Sequence, residues 1–293
     1  SAWIRRMLVN RPQTNRLLGY PDDARLLIIN ADDFGMCHAV NAGIIQALQE
    51  GIVTSCSIMA PCPWALHALA WLQQTPNVPV GVHLTAVSEQ PLYRWGPLLS
   101  RAEVPSLIDE AGYFYAESRI DEFLGQVDLG ELEREFRAQI ERVLAAGVRP
   151  THLDSHCGIH VRRDPIFTMT LGLAHAYGLA LRVYDRPFID ELQQQGYPTN
   201  DHPLLDSYDL ALTNKSARYA QMLRNLPVGL SEWAVHPGLG NAELQAAMPS
   251  WQVRQSDLDF VMSPAARAIV QEEGIILVDY KAVQAIWNAQ ARP

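Results

Sequence analysis

Residues 26–43 read LLIINADDFGMCHAVNAG, and this stretch decides the fold. It opens with four apolar residues, 26–29, a run that predicts a strand buried on both faces. Asp32 and Asp33 follow at the carboxyl end of that strand, and the pattern breaks at Gly35 before it becomes helical. Two adjacent carboxylates beside a buried strand are costly unless a metal, a proton or hydrogen bonds compensate them. The alternative interpretation is an Asp pair that caps the following helix.

The alternation of strand and helix patterns continues along the chain and predicts an α/β fold with about seven mostly parallel strands. The predicted strands are residues 26–29, 52–59, 79–84, 151–155, 179–184, 231–236 and 274–280. A long helix is predicted over residues 256–273. No glycine-rich dinucleotide fingerprint follows the first strand, and polar motifs end several strands, so a closed or nearly closed TIM-barrel-like (β/α) barrel fits better than an open sheet.

Composition restricts the partners and the compartment. The net charge of −9 is spread over 293 residues without a basic cluster, which argues against a nucleic-acid partner. No apolar run approaches the length of a membrane span, and the first 24 residues lack the apolar core of a signal peptide. Four cysteines without regular spacing indicate free thiols in a reducing compartment, so we expect a cytoplasmic protein. Cys37 and Cys157 lie in polar motifs and are interpreted as plain thiols rather than soft metal ligands.

The chain is expected to form one barrel domain with two additions. Residues 25–293 make the domain, and residues 1–24 form an N-terminal extension that packs on it through Leu17, Leu18 and Tyr20. Residues 85–128 are rich in proline, glycine and aromatic residues and are long for a plain loop, which indicates a lid or a substrate-binding insertion. The insertion carries aromatic faces suited to stacking on sugar rings, namely Tyr93, Trp95 and Tyr113.

Histidine and carboxylate residues fall at the predicted strand ends. His83 ends the third strand in GVHLT, and His156 ends the fourth in PTHLDSHCGIH, where positions 152, 154 and 156 alternate along a strand and share one face. Because the carboxyl ends of parallel strands meet at one edge, these side chains should converge with Asp33. The same expectation covers Asp32, His152, Asp154, Arg182, Glu232, His236 and Asp279. For any single histidine the alternative is a hydrogen-bonded core side chain.

Asp33, His83 and His156 together form the donor set of a catalytic metal site. Two imidazoles and one carboxylate leave open positions on a divalent ion, and the set suits Zn²⁺ best, with Mn²⁺, Co²⁺, Ni²⁺ and Mg²⁺ as alternatives. Water bound to such an ion is acidic enough to be a nucleophile near neutral pH. Asp32 is then placed to remove its proton, and His236 to protonate a leaving group. This is the apparatus of metal-assisted hydrolysis.

Several segments resemble those of the YdjC-like (ChbG-type) carbohydrate deacetylases. The matching motifs are LLIINADDFG, AVNAGII, GIVTSCSIMA, GVHLT, PTHLDSHCGIH, LALRVYDRP and EWAVHPG, in the order typical of the family. The resemblance implies a deformed (β/α) barrel that hydrolyses acetyl groups from N-acetylated amino sugars. It also implies site roles: metal ligands Asp33, His83 and His156, the base Asp32, the acid His236, and Arg182 near the catalytic Asp. Where family members often carry a His-rich run after THLDSH, this chain has Cys157 and Gly158 and keeps only His160.

The expected partner is therefore a small-molecule or oligosaccharide substrate with an N-acetyl group, bound by a metal-dependent hydrolase. Two rival hypotheses stay open at the level of sequence. One is a metal-dependent hydrolase of another amide, an ester or a phosphoester. The other is a carbohydrate-binding protein that keeps the fold without turnover. A homodimer is a further expectation, since the insertion could contribute either a lid or a dimer contact.

Overall fold

The computed structural model describes residues 13–291. Its strands form one curled parallel sheet in the order β5-β4-β3-β2-β1-β7-β6, with β8 paired to β1. The strands are β1 Arg25–Phe34, β2 Ser55–Ile58, β3 Val80–Leu84, β4 His152–Ser155, β5 Ala180–Leu181, β6 Leu205–Asp206, β7 Gly229–Val235 and β8 Ile276–Leu277. The predicted α/β barrel-like fold with parallel strands is confirmed. In the described residues β5 and β6 do not pair with each other, so the sheet is a half-barrel that is open between these two short strands.

Helices surround the sheet. They are α1 Thr14–Leu17, α2 His38–Glu50, α3 Ala65–Gln74, α4 Ile120–Gln126, α5 Leu129–Ala145, α6 Asp164–Tyr177, α7 Phe188–Gln194, α8 Lys215–Arg224, α9 Ala242–Ala247, α10 Trp251–Met262, α11 Pro264–Glu272 and α12 Tyr280–Gln290. Short 3-10 helices cover Pro105–Leu107, Glu117–Arg119, His156–Val161 and Ser207–Asp209. Among residues 13–291, no helix combines the length and the apolar character that a membrane crossing requires.

Strand β1 is the centre of the sheet, as its apolar run predicts. One edge pairs with β7 from Arg25 to Ala31, and the other edge pairs with β8 and then with β2. Residues 26–29 have no exposed surface, because neighbouring strands cover both edges and the core covers both faces. The strand runs five residues beyond the apolar stretch and carries Asp32 and Asp33 to its carboxyl end.

Two parts of the fold differ from the prediction. Strand β6 lies between the predicted strands 179–184 and 231–236, where no strand is predicted; its two residues form a strand by pairing with Trp233 and Ala234 of β7. The single helix predicted over residues 256–273 is two helices, α10 and α11. The break falls at Pro264, which has no N–H for the helical ladder, and Ser263 caps the second helix by accepting a hydrogen bond from the Ala266 N–H, 3.1 Å away.

The described part of the N-terminal segment packs on the barrel through both polar and apolar groups, and Leu18 and Tyr20 contact the hydrophobic core. Thr14 and Asn15 are fully buried, and the Thr14 hydroxyl donates to the Thr199 carbonyl over 2.6 Å. The expected apolar anchors Leu17, Leu18 and Tyr20 are half-buried. Residues 1–12 lie outside the described range, so the extent of the extension stays a prediction.

Candidate active site

A cavity of about 820 Å³ opens at the carboxyl ends of the strands. All six residues predicted for the site line it: Asp32, Asp33, His83, His156, Arg182 and His236. The insertion contributes to the wall as well, through Glu89, Gln90, Glu117 and Ser118. Side chains from the ends of β1, β3, β4, β5 and β7 and from residues 85–128 therefore meet in one pocket, as the parallel topology requires.

An irregularity at the end of β1 brings both aspartates to the cavity. Between Ala31 and Phe34, β1 has one residue more than the paired stretch of β2, so the register shifts. Asp33 takes up the extra length with a φ of 73°, a conformation that non-glycine residues rarely adopt. In a regular strand consecutive side chains point to opposite faces. The bulge lets Asp32 and Asp33 line the same pocket, and strained backbone of this kind is concentrated at functional sites.

Asp33, His83 and His156 form a compact three-residue group, all nearly fully buried. Asp33 Oδ1 lies 3.3 Å from His83 Nε2 and 3.0 Å from His156 Nδ1. Zinc–ligand bonds are about 2.0–2.2 Å long, and the ligand–zinc–ligand angles range from octahedral to tetrahedral. Two donor atoms on the same ion therefore lie about 2.8–3.6 Å apart. The observed spacings fall in that interval, so this donor set fits a divalent cation.

Each histidine is oriented by a carboxylate on its other ring nitrogen. His83 Nδ1 lies 2.9 Å from Asp154 Oδ1 and 3.2 Å from Ser57 Oγ, which leaves Nε2 toward Asp33. His156 Nε2 lies 2.7 Å from Glu89 Oε2, which leaves Nδ1 toward Asp33. A carboxylate behind a ligating histidine is the usual outer arrangement of a metal site.

The local electrostatics favour a positive charge between these groups. Burial would lower the pKa of His83, but Asp154 and Asp32 raise it to about 9. Burial would also lower the pKa of His156, but its charged neighbours, which include Glu89 and Asp33, hold that pKa well above its usual range. The position thus attracts either protons on the two imidazoles or a cation between them.

Arg182 binds Asp32 with both arms of its guanidinium. Its Nη1 and Nη2 donate to Asp32 Oδ2 and Oδ1, each over 2.8 Å, and Nε donates to Glu232 Oε1 over 2.8 Å. Burial would raise the pKa of Asp32, but the Arg182 charge and hydrogen bonds hold it below its ordinary value. Asp32 is therefore ionised at neutral pH, and its Oδ2 lies 3.9 Å from His83 Nε2.

Arg254, in α10, gives Asp33 a buried partner that the sequence did not reveal. Its Nη2 donates to Asp33 Oδ2 over 2.6 Å, and the arginine is only 2% exposed. Burial would raise the pKa of Asp33, but Arg254 and His156 keep it well below its usual range. Asp33 thus keeps Oδ1 for the histidine side while Oδ2 is neutralised from behind.

His236 lines the cavity just after β7, the strand that pairs with β1. Its Nδ1 is 2.8 Å from Ser207 Oγ, and its backbone N–H donates to Asp257 Oδ2 over 2.7 Å. Asp257 also accepts a hydrogen bond from the Tyr219 hydroxyl. In residues 13–291 the ring is hydrogen-bonded only at Nδ1, so Nε2 is the nitrogen that can reach a ligand in the cavity.

Two residues expected at the strand ends do not belong to the site. His152 is a core side chain: its ring stacks on Tyr280 with 3.6 Å between centroids, and it has no exposed surface. Asp279 lies after β8 and caps α12 by accepting the Lys281 N–H over 2.7 Å. His156 itself lies just beyond β4, at the start of a 3-10 helix, rather than in the strand.

The aromatic residues of the insertion also differ from the expectation. Tyr93, Trp95 and Tyr113 do not line the cavity, whereas Tyr184 and Tyr208 do. Trp95 is 3% exposed and donates its indole N–H to the Val87 carbonyl over 2.9 Å, so it stabilises the insertion internally. The cysteines are free thiols, of which Cys157 lines the cavity.

His160, the one histidine retained after THLDSH, is a buried structural side chain. Its Nδ1 lies 2.6 Å from Ser155 Oγ, and its Nε2 lies 2.9 Å from the Arg182 carbonyl. Burial lowers its pKa to about 4, so the ring is neutral and donates from Nε2 to that carbonyl. It fixes the backbone from which Arg182 reaches Asp32.

Known proteins resemble this chain over nearly all of the barrel. The profile of the family described as YdjC-like protein matches residues 26–272. A carbohydrate deacetylase from Enterococcus faecalis is 34% identical over 262 residues, which are 88% of this chain and 97% of that protein. A chitooligosaccharide deacetylase from Yersinia enterocolitica is 30% identical and covers 87% of this chain and 98% of its own. A solved Enterococcus faecalis structure named for cellobiose-phosphate cleavage matches with a TM-score of 0.76 at 32% identity, over 89% of this chain and 99% of that one. This chain belongs to the YdjC-like protein family.

Proposed function

We propose that the protein is a metal-dependent hydrolase that removes the acetyl group from an N-acetylated amino sugar, free or in an oligosaccharide or glycoconjugate. The observation that carries the proposal is the Asp33–His83–His156 group with the ionised Asp32 beside it, 3.9 Å from His83 Nε2. The relatives named as carbohydrate and chitooligosaccharide deacetylases support the substrate class. The free thiols support a reducing compartment, the cytoplasm.

Asp33 Oδ1, His83 Nε2 and His156 Nδ1 would hold the cation, and the nitrogen-rich donor set favours Zn²⁺ over Mg²⁺. The chemistry that such a cation would supply is Lewis acidity, which would polarise the acetyl carbonyl and lower the pKa of a water molecule toward neutrality. Asp154 and Glu89 keep the two imidazoles turned so that the donor nitrogens face Asp33.

Asp32 acts as the general base. It accepts a proton from the attacking water while the water oxygen bonds to the acetyl carbon. Arg182 holds the carboxylate in a fixed orientation and ionised, which makes it available as a base throughout the neutral range. Because Arg182 also weakens its basicity, Asp32 depends on an acidified water.

His236 acts as the general acid. As the carbon–nitrogen bond breaks, its Nε2 donates a proton to the sugar nitrogen, so that acetate and an amino sugar are released. Ser207 at Nδ1 and Asp257 at the backbone N–H fix the ring in the cavity, at the end of the strand next to the one that carries Asp32.

Acetate release from a panel of substrates tests this proposal. Purified protein loaded with zinc should release acetate from N-acetylglucosamine or its oligomers. It should do so faster than from peptide amides, acetyl esters without a sugar, or phosphoesters. A preference for one of those other substrates would indicate a different hydrolase. Saccharide binding without acetate release in metal-loaded protein would indicate a binding protein.

A further inference from the structure

Glu89 differs from the other insertion residues of the cavity wall because it contacts one of the proposed metal ligands. Its Oε2 lies 2.7 Å from His156 Nε2, and its side chain is 16% exposed at the cavity wall. Glu89 takes no direct part in the proton transfers proposed for Asp32 and His236, and it supplies none of the three proposed donor atoms. Its only polar contact with the catalytic group in residues 13–291 is through the His156 ring.

The backbone around Glu89 is firmly held. The Ser88 N–H donates to the Tyr115 carbonyl over 2.9 Å, and the Ser88 hydroxyl accepts the Trp95 N–H over 3.0 Å. Trp95 in turn donates to the Val87 carbonyl, and its ring packs edge-on against His156 with 5.9 Å between centroids. Val87 and Ser88 have no exposed surface. The insertion therefore presents Glu89 to His156 from a rigid support.

We propose that Glu89 is a positioning residue, through which the insertion selects Nδ1 of His156 as the nitrogen that binds the cation. The inference rests on the proposed metal site. His156 begins the 3-10 helix His156–Val161, in which Cys157 has a φ of 54°, so His156 lies outside strand β4 and no strand fixes its ring. A carboxylate that accepts the Nε2–H leaves the Nδ1 lone pair toward Asp33 Oδ1, 3.0 Å away.

The similar environments of His83 and His156 support this role. Asp154, a strand residue, accepts from Nδ1 of His83 and directs its Nε2 inward, while Glu89 accepts from Nε2 of His156 and directs its Nδ1 inward. The barrel thus orients one imidazole and the insertion orients the other. Outer carboxylates of this kind raise the basicity of the ligating nitrogen and contribute about 10–100-fold to metal affinity.

Zinc titration of four proteins tests the proposal: wild type, Glu89→Ala, Glu89→Gln and Glu117→Gln. Calorimetry on protein stripped of metal gives affinity and stoichiometry. Glu117 is the matched control, since it lies in the same insertion and lines the same cavity but does not contact His156. Glutamine keeps an oxygen that can accept the Nε2–H, so it should partly rescue the alanine variant. Thermal unfolding of the metal-free proteins checks that all four fold.

We expect Glu89→Ala to bind zinc about 10–100-fold more weakly than wild type, Glu89→Gln to lose less, and Glu117→Gln to stay within about threefold. In zinc-loaded protein with ¹⁵N-labelled histidine, long-range proton–nitrogen spectra should show His156 bound through Nδ1 in wild type, and a mixture of ring states in Glu89→Ala. Zinc affinity of Glu89→Ala within threefold of wild type would overturn the proposal. The proposal would also be overturned if wild type bound two zinc ions and Glu89→Ala lost one of them while binding the other as tightly as before, since Glu89 would then be a ligand itself. If wild type binds zinc as expected but releases no acetate, the deacetylase proposal fails while this one stands.

Discussion

Asp32 and Asp33 are consecutive residues of one strand, yet their carboxylates face the same cavity and each is bound by a different buried arginine. Arg182, just after β5, binds both oxygens of Asp32, whereas Arg254 in α10 binds only Oδ2 of Asp33. Asp33 therefore keeps one oxygen for the histidines, and Asp32 is held as an oriented, ionised carboxylate. These two environments suit the two tasks proposed for the neighbours, metal ligand for Asp33 and base for Asp32.

Exchanging one aspartate at a time should separate these tasks. Asp32→Asn should bind zinc within about threefold of wild type but lose about 10²–10⁴-fold in kcat, because the proton acceptor is gone. Asp33→Asn should lose zinc binding itself. Metal content after dialysis and acetate release measure the two properties in parallel. Full turnover by Asp32→Asn would remove Asp32 from the mechanism.

The bidentate contact with Arg182 predicts a change in the pH profile. Arg182→Lys keeps the charge but offers a single donor group in place of the planar fork. Burial raises the pKa of Asp32, and the lysine would oppose this effect less well than Arg182 does. The pKa of Asp32 should therefore rise, and the acidic limb of the kcat/KM profile should move to higher pH. Arg254→Lys is the comparison, since it should weaken zinc binding without moving that limb. An unchanged limb in Arg182→Lys would show that Asp32 does not govern it.

Leaving-group chemistry tests His236. His236→Gln should lower kcat/KM for an N-acetyl sugar about 10²–10⁴-fold, because an amine departs poorly without a proton. An aryl acetate, whose phenolate leaves without protonation, should lose less than about tenfold with the same variant. Zinc binding serves as the control for the integrity of the site. Equal losses on amide and ester would assign His236 to binding rather than to proton donation.

The histidine environment predicts how stability depends on pH. The pKa of His83 is raised to about 9 from an ordinary value of 6.5. A histidine whose pKa is raised by folding stabilises the folded protein fully at pH values below its pKa in the unfolded chain. This stabilisation is lost as the pH rises through its pKa in the folded protein. The Tm of metal-free protein should therefore fall between pH 6.5 and about 9, and zinc should reduce the fall by taking the place of the proton. A Tm that is independent of pH in this window would contradict the electrostatics of the site.

The sequence predicts much of the site because parallel strands place their carboxyl ends together. Asp33 and His83 each end a buried strand, so their convergence follows from the fold alone. The same rule fails for Asp279, since a carboxylate just before a helix is equally suited to cap it. Strand ends identify candidates, and local capping decides which of them are used.

Other features of the site carry no local signal. Arg254 is a single arginine in the first turn of α10, and only the approach of that helix to β1 gives it Asp33 as a partner. Glu89 lies outside the helices and strands of the insertion, and its contact with His156 spans 67 positions in the chain. The β1 bulge depends on pairing with β2, so the positive φ of Asp33 could not be inferred from the residues around it.

X-ray diffraction at the zinc absorption edge, on crystals grown with zinc, tests the central claim most directly. The account predicts one strong anomalous peak at about 2.0–2.2 Å from each of Asp33 Oδ1, His83 Nε2 and His156 Nδ1, with Asp32 beside it but not bound. A cavity without anomalous signal at saturating zinc would contradict the account, as would a peak coordinated by other residues.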